Sequence, residues 1–319
     1  MNADSIALVG DGVVGGRIAQ RLPLVADGGS VVHVDTRRNL KDLHGCSLAV
    51  LAHSGGHAEL AADLVRRGIS VISISDDLDD VRALLDLDGD AESAGASLVV
   101  GAGMSPGLTG LLARYLVSQM ASSDEIHVSL HGTAGPSCAR HQHRALAGRA
   151  LGYQDGRWVR PPAGSGRELC WFPEPVGAYD CYFAEIPSPL LLHEDFPDAI
   201  RLSERISANR RDRLTARLPM LSRPHREGGV GAVRVEVRGS DDSGGRTTMI
   251  LGVAELVGTV AAATATSFVG SWLRDELPVG VIRPSDARLN TTSLLQSIER
   301  LGVRLQEFTG VPSVLRIGA

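Results

Sequence analysis

A glycine-rich turn near the start of the chain constrains its fold more than any other feature. Residues 6–15 read Ile-Ala-Leu-Val-Gly-Asp-Gly-Val-Val-Gly, which places a G-x-G-x-x-G pattern at Gly10, Gly12 and Gly15. The pattern follows an apolar run and opens a helical stretch at 14–21, as a dinucleotide-binding turn does. Gly10 permits the tight turn, Gly12 lets the backbone approach a pyrophosphate, and Gly15 allows close helix–strand packing. The sequence therefore predicts a βαβ unit with a dinucleotide at the helix N-terminus.

Short apolar runs alternate with helical stretches through the first 124 residues. Strands are predicted at 6–9, 31–34, 48–51, 71–74 and 97–100, and helices at 14–21, 58–67 and 78–85. This alternation is typical of βαβ units and a parallel sheet. We therefore expect an α/β fold that begins with an NAD(P)-binding Rossmann domain over 1–124.

The pattern changes near Asp124, where a second domain is expected over 125–256. Residues 126–130 alternate between apolar and polar, as a half-buried strand does. The Pro- and Gly-rich stretch at 152–177 predicts loops and short edge strands, and an Arg-rich helix is expected at 198–218. Further strands are predicted at 182–186, 233–238 and 247–256. Together these indicate an α+β substrate and dimerisation domain with a mixed, largely antiparallel sheet.

Composition excludes several classes of function. The formal net charge of −5 and the 4% of aromatic residues argue against a nucleic-acid surface, which would be basic and rich in stacking rings. No apolar run approaches the roughly 20 residues needed to span a bilayer, and no secretory signal is expected. The four cysteines are scattered, so neither a disulfide framework nor a zinc site is indicated. A reduced, cytoplasmic protein is expected.

An acidic residue is expected to bind the adenosine ribose of the cofactor. Asp35 closes the second predicted strand, about 20 residues after Gly15, where a carboxylate accepts hydrogen bonds from the ribose hydroxyls. A carboxylate there repels a 2′-phosphate and favours NAD, whereas Arg37 and Arg38 would pair with the 2′-phosphate of NADP. The sequence leaves NAD or NADP open, with a slight preference for NAD.

Other cofactor contacts are expected at the carboxyl ends of the parallel strands, where ligands of open α/β sheets bind. The candidates beyond the three glycines and Asp35 are Val13, Val14, Thr36, Arg37, Ala52, His53, Ser75, Asp76, Gly103 and Met104. His53 and His57 have the i, i+4 spacing of a metal pair, but no third ligand is evident. No metal site is therefore expected.

Five further segments resemble, as a set, the saccharopine dehydrogenase-like oxidoreductases. Residues 103–116, Gly-Met-Ser-Pro-Gly-Leu-Thr-Gly-Leu-Leu-Ala-Arg-Tyr-Leu, resemble the G-x-x-P-G-l-s element of that family. Residues 71–77 resemble its strand that ends in acids, 153–159 with 171–177 its substrate-domain strands, and 277–284 its late G-V-x-x-P turn. In the family's order, the resemblance runs from about residue 5 to 285.

This resemblance implies an NAD(P)-dependent enzyme that exchanges hydride with a C–N bond, an imine or secondary amine, of a small amino-acid-derived substrate. It also implies that the C-terminal helices of about 257–319 pack back on the Rossmann domain, and that the protein forms a homodimer. True saccharopine reductases resemble G-x-D-P-G at the proline turn, where this chain has Ser105, and their long helical insert is absent here. A substrate other than saccharopine is therefore expected.

Lysine chemistry is excluded by the composition. Of the 32 basic residues only Lys41 is a lysine, and it follows the second strand on the adenosine side, away from a nicotinamide. Histidine suits proton transfer near neutral pH, so His143, His131 and His141 are the catalytic candidates. The predicted contacts of an anionic substrate are Arg140, Arg144, Ser105 and Tyr153. The two arginines are candidates because an arginine binds a carboxylate bidentately.

Three alternatives remain open from the sequence. The histidine- and arginine-rich stretch at 139–144 also fits the solvated start of a polar helix. The chain also fits a cofactor-binding sensor or scaffold without catalysis. A third alternative is redox-neutral chemistry with a tightly bound cofactor.

Overall fold

The computed structural model describes residues 5–26, 30–34, 43 and 45–307. Contacts divide the chain into two units, Met1–Leu108 with Gly258–Gly302, and Thr109–Val257 with Val303–Ala319. The first division falls after Leu108, earlier than the predicted domain bound at 124. Residues 258–302 belong to the first unit and residues 303–319 to the second, whereas the sequence resemblance assigns all of 257–319 to the first domain.

The first unit contains a parallel sheet with helices between its strands. Its N-terminal elements are β1 (Ser5–Val9), α1 (Val13–Arg21), β2 (Ser30–Val34), β3 (Leu48–Leu51), α2 (Ala58–Arg66), β4 (Ser70–Ser73), α3 (Leu78–Leu85), α4 (Asp88–Ala94) and β5 (Ser97–Val100). The second unit follows with α5 (Leu108–Val117), β6 (Ser122–His131), α6 (Pro136–Ala145), β7 (Gly152–Gln154), β8 (Arg157–Val159), β9 (Glu168–Phe172), β10 (Gly177–Phe183), α7 (Ser188–Asp195), β11 (Arg201–Ser207), α8 (Arg210–Thr215), β12 (Val230–Ser240) and β13 (Arg246–Leu256). The chain ends with α9 (Val257–Leu273), β14 (Gly280–Ile282), α10 (Thr291–Arg300) and β15 (Gln306–Glu307).

Six parallel strands form the first sheet, in the order β14-β5-β4-β3-β1-β2. Strands β1, β3, β4, β5 and β14 are almost wholly buried, as the continuous apolar Leu-Ala-Val-Leu of β3 illustrates. Strand order reverses at β1, whose neighbours are β2 on one side and β3 on the other. The crevice at such a reversal is where ligands bind in doubly wound sheets. The predicted parallel sheet is confirmed, and β14 adds a strand that the sequence pattern did not predict.

Helix α9 lies in the first unit apart from its first residue and is almost entirely buried. Its small side chains allow close packing, and its buried hydroxyls bond back to the helix. Thr264 Oγ1 donates to Val260 O at 3.0 Å, and Ser267 Oγ donates to Thr264 O at 2.7 Å. Thr259 Oγ1 accepts from an Arg17 guanidinium at 3.0 Å, which joins α9 to α1.

The sheet of the second unit is mixed and largely antiparallel, as predicted. Its strand order is β15-β13-β12-β6-β11-β10-β9, and β7 pairs with both β11 and β8. Within this second sheet, and among the residues that the structure describes, β11 and β6 are the only strands that pair in parallel. The register places Ile126, Val128 and Leu130 of β6 beside Val233, Val235 and Val237 of β12 on one apolar, buried face.

The opposite face of this sheet is polar. It carries Glu125, His127, Ser129 and His131 of β6, beside alternate charged residues of β11 and β12. Strand β9 curls over this face, since Ser129 Oγ lies 3.3 Å from Cys170 Sγ although two strands separate them in the sheet order. Several polar groups on this face, among them Glu125, His127 and Glu236, are largely buried and bond to one another or to neighbouring charges.

The sequence pattern predicts one helix over 198–218, and this prediction is wrong for its first half. That half is β11, the strand between β6 and β10, while α8 covers only Arg210–Thr215. Arg201 pairs with Glu125 on the neighbouring strand β6, and Arg205 pairs with Glu168 on β9, beyond β10 in the sheet order. On the other face, Glu204 accepts from the Ser188 backbone N–H at the start of α7, at 3.1 Å. A charged stretch that suggests a solvated helix is thus a buried strand with paired charges.

Candidate functional site

The glycine turn between β1 and α1 adopts the geometry that the sequence predicts. Gly10 has a φ of +125°, a conformation that residues with a Cβ rarely adopt, and a Cβ there would lie 2.6 Å from the Ala52 carbonyl carbon. A Cβ on Gly15 would lie 2.2 Å from Gly10 O, so helix α1 packs directly against the turn. At Gly12, the residue before α1, a Cβ would meet no atom within 4 Å. The open space therefore lies at the glycine that pyrophosphate approaches.

The ends of β1 and β3 come together at this turn. Ala52 N donates to Val9 O at 2.8 Å, and the Gly10 backbone lies against Ala52 and His53. Of the predicted cofactor residues, the structure therefore brings Ala52 and His53 beside the glycine turn. Val13 and Val14 open α1 directly after it.

Other predicted cofactor residues have identifiable structural roles. Ser75 is buried, and its N–H donates to Ser73 Oγ at 3.2 Å. Asp76 lies after β4, and the next residue, Asp77, caps α3 by accepting from two backbone N–H groups. Gly103 accepts from Leu108 N at 3.0 Å and donates to Pro106 O at 2.9 Å, which closes a tight turn around Met104 and Ser105.

Part of the predicted adenosine site falls outside the described residues. Asp35, Thr36 and Arg37 lie there, as do Arg38 and Lys41. The interpretation of these residues stays a prediction from the sequence.

His57 is a structural residue of the first unit. Its ring is buried, with Nδ1 2.8 Å from Ser73 Oγ and Nε2 3.1 Å from His53 O. A carbonyl only accepts, so Nε2 carries the proton and Nδ1 accepts from the serine. Burial, followed by the nearby His53 ring, lowers the pKa of His57 to about 4. Within the described ranges, no cluster of three or more His, Cys, Asp or Glu could hold a metal ion.

Four of the predicted catalytic and substrate residues lie on α6. They are Arg140 and Arg144, which are exposed, and His141 and His143. His143 is buried, with its Nε2 lying 3.0 Å from Thr215 O and 3.2 Å from Leu218 O. Nε2 therefore donates to carbonyls at the end of α8, and the buried Nδ1 has no hydrogen-bond partner within the described part of the chain.

His131 lies at the end of β6, in surroundings different from those of His143. Its Nδ1 lies 2.9 Å from Ser207 Oγ, and its ring stacks on Tyr179 with 3.9 Å between centroids. Burial lowers the pKa of His131 below its ordinary value. Tyr153, on β7, contacts the rings of Trp158 and His193.

A network of hydrogen bonds on the polar sheet face was not predicted from the sequence. His127 Nε2 donates to Glu125 Oε2 at 3.0 Å, and its Nδ1 accepts from Ser203 Oγ at 2.8 Å. Burial lowers the pKa of His127, and the hydrogen bond to Glu125 only partly offsets this. The alternation of polar and apolar residues along β6 was the available signal, but it does not tell which strands pair.

Glu236 lies at the centre of the same network. Its carboxylate is paired with Arg234 and accepts from Arg238 Nε at 2.5 Å. Burial raises the pKa of Glu236, but the two guanidinium groups outweigh burial, so the net pKa is below the ordinary value. The ionised carboxylate is thus stabilised only in the folded protein.

We expect Glu236→Gln to lower stability by about 3 kcal/mol at neutral pH, because it removes the carboxylate that pairs with the largely buried Arg234 guanidinium. A carboxyl whose pKa is depressed by folding contributes stability above its unfolded pKa, near 4.5, and loses it as pH falls further. The difference in Tm between wild type and Glu236→Gln should therefore be largest at pH 7 and shrink below about pH 4.5. Thermal unfolding across this range tests the expectation.

Asp242→Asn is the matched control, because Asp242 is exposed in the turn between β12 and β13. It should leave Tm unchanged at pH 7. A Tm difference for Glu236→Gln that stays constant from pH 7 to pH 3 would contradict the interpretation.

The cysteines do not form disulfides or metal sites. All four are free, and Cys170 and Cys181 lie on neighbouring strands with buried side chains. A hydrogen bond from Cys181 lowers the pKa of Cys170 to about 7, burial opposes the shift, and Ser129 supports it.

Comparison with solved structures shows the fold. Saccharopine dehydrogenase (L-Glu forming) from Saccharomyces cerevisiae is similar with a TM-score of 0.69 at 12% identity, over 96% of this chain and 100% of that one. An engineered D-amino acid dehydrogenase bound to NADP+ is similar with a TM-score of 0.52 at 13% identity, over 92% and 96%. Diaminopimelate (DAP) dehydrogenase of C. glutamicum, in complex with DAP, is similar with a TM-score of 0.51 at 13% identity, over 92% and 96%.

By sequence, the chain matches no protein-family profile and no curated protein. The saccharopine dehydrogenase-like fold predicted from short motifs is therefore confirmed by structure alone. No helix in the described ranges is long and apolar enough to cross a membrane.

Proposed function

We propose that the protein is an NAD(P)-dependent oxidoreductase. The observation that carries this proposal is the open space at Gly12, which lies at the N-terminus of α1 beside the point where strand order reverses. Backbone N–H groups and the helix dipole make such a position suited to pyrophosphate. The nicotinamide dinucleotide supplies the hydride, and this chain's residues hold it and its substrate.

The proposed reaction is hydride exchange with a C–N bond of a small amino-acid-derived substrate. Two of the structural neighbours, by their titles, act on saccharopine and on DAP, which supports an amino-acid-derived substrate class. Arg140 and Arg144 are exposed on α6 and would bind substrate carboxylates. His143 remains our first candidate for proton transfer through Nδ1, with His131 and His141 as the others. We also propose a homodimer, from the sequence resemblance, and a cytoplasmic location, from the four scattered cysteines.

The hydrogen bonds of His143 favour a second candidate function. A histidine whose Nε2 bonds to two carbonyls is also suited to a purely structural role, as in a cofactor-binding sensor or scaffold without catalysis. The two candidates differ in whether bound NADH is oxidised. A panel of 2-oxo acids mixed with ammonia or small amines, added to the NADH complex, distinguishes them.

We expect NADH and NADPH to bind with unequal affinity, with NADH the tighter ligand. Asp35 is expected to accept from the ribose hydroxyls of NADH and to repel the 2′-phosphate of NADPH. Titration of each nucleotide, followed by its fluorescence, measures both dissociation constants. Tighter binding of NADPH would instead indicate that Arg37 and Arg38 pair with the 2′-phosphate and determine the cofactor preference. Absence of binding by either nucleotide would refute the proposed function.

A further inference from the structure

A cavity of about 380 Å³ lies within the second unit, on the edge of β11. Strand β7 pairs with β11 at residues 201 and 202, and β10 pairs with it from residue 205 onward. The cavity lies at the fork where these two strands separate. Its lining consists of His127, Gly152, Tyr153, Gln154, Val159, Pro161, Glu168, Phe183, Arg201, Leu202, Ser203, Arg205 and Arg238. Its volume falls within the range of small-molecule sites.

The charged part of the lining is dominated by arginine. Arg201, Arg205 and Arg238 line the cavity, whereas Glu168 is its only carboxylate among the described residues. Arg205 Nη1 pairs with Glu168 at 3.1 Å and its Nε donates to Gly166 O, while Arg238 uses Nε and Nη1 for Glu236 and Glu125. The Nη2 group of Arg205 and of Arg238 remains for a ligand within the described structure. An arginine side chain carries five N–H donors and no acceptor, so these groups select an anion.

The remaining polar groups hold the guanidinium groups in place. Ser203 Oγ accepts from Arg205 Nη1 at 3.0 Å and donates to His127 Nδ1. The Arg205 guanidinium also stacks on the Phe183 ring, 4.2 Å from its centroid. Arg205 is only 16% exposed, so its orientation is fixed before any ligand arrives. Preorganised donors bind more tightly because they lose less entropy.

The cavity is also lined by apolar side chains, which form its apolar wall. Tyr153, Val159, Pro161 and Phe183 supply it, together with Leu202 of β11. An apolar surface with a few fixed donors suits a ligand that has one anionic end and an apolar body. An inorganic anion would contact only the fixed donors and would leave the apolar surface without a partner.

We propose that this cavity binds a small organic carboxylate with an apolar body, held by Arg205 and Arg238. None of the α6 residues proposed for hydride transfer lines this cavity, and of the predicted substrate-binding residues Tyr153 alone does so.

Titration calorimetry of the full chain with 3-phenylpropionate, without nucleotide, tests this proposal. We expect saturable binding at one site, and at least tenfold weaker binding of the neutral 3-phenylpropionamide. Arg205→Gln should weaken binding of the carboxylate at least tenfold, because it removes the fixed donor. Glu168→Gln should tighten binding severalfold, because it removes the one carboxylate of the lining that repels the ligand.

Arg167→Gln is the matched control. Arg167 neighbours Glu168 but is exposed, pairs with Asp180 and does not line the cavity, so this variant should bind like wild type. If Arg205→Gln does not fold, Val159→Trp replaces it, because a large side chain there fills the cavity from its apolar wall. Failure of 3-phenylpropionate to bind, equal binding of the amide, or wild-type affinity in the folded Arg205 or Val159 variant would overturn the proposal.

Discussion

Gly12→Val is expected to weaken NADH binding at least 100-fold while leaving the protein folded. A Cβ at Gly12 meets no protein atom within 4 Å, and the backbone is already extended, with φ −71° and ψ −173°. The added side chain therefore enters the space that pyrophosphate needs without displacing the protein. Loss of glycine at a helix N-cap costs under about 1 kcal/mol. Nucleotide fluorescence and thermal unfolding measure the two effects separately.

Gly10→Ala, unlike Gly12→Val, should lower the stability of the protein. Its Cβ would lie within 2.7 Å of backbone atoms of Ala52 and His53, and its φ is +125°, so Tm should fall. The matched control is Gly16→Ala, since Gly16 lies in α1 with nothing within 4 Å of an added Cβ. That variant should bind NADH like wild type and be no less stable, because alanine favours helix by about 1 kcal/mol. Wild-type NADH affinity in Gly12→Val would remove the main support for the proposed function.

His143→Ala is expected to lower turnover at least 100-fold, the range typical of a lost general acid or base. It should also lower the free energy of unfolding by about 2 kcal/mol, because the buried His143 ring is removed together with its hydrogen bonds to Thr215 O and Leu218 O. A drop in activity alone therefore does not distinguish catalysis from structure. Turnover, NADH affinity and Tm must be measured on the same preparation.

His143→Gln separates the two roles. The glutamine amide nitrogen can donate to the same carbonyls, so Tm should recover, but an amide cannot transfer the proton at neutral pH. Arg144→Ala, on the exposed face of α6, should keep wild-type Tm and lose turnover through weaker substrate binding. Recovery of turnover in His143→Gln would show that His143 only anchors the end of α8, and the catalytic assignment would then be wrong.

The parallel sheet could be predicted in detail because its signals are local. Each strand is a short apolar run, and the glycines at 10, 12 and 15 fix a turn whose geometry depends on few neighbours. The edge strand β14 escaped prediction because it is three residues long and pairs with β5, far away in the sequence. Sequence periodicity contains no information about such a distant partner.

The second unit was harder to predict because its polar residues depend on strand pairing. Arg201 and Arg205 suggest a solvated helix until β6 and β9 supply Glu125 and Glu168 beside them. Likewise, the sequence identifies His143 as a candidate for proton transfer. It does not show that Nε2 of His143 donates to two carbonyls of a later segment. His127 was overlooked because its partners come from β11 and from its own strand at once.

The late position of β14 has a consequence for synthesis on the ribosome. Strands β1 to β5 emerge early, but β5 gains its outer neighbour only when Gly280–Ile282 has been made. Throughout that interval, the nascent chain presents a row of unpaired backbone groups along β5, a template for wrong pairing with another chain. Completion of this parallel sheet thus waits until residues 280–282 have been made, and chaperone protection of that edge matters most while the second unit is being translated.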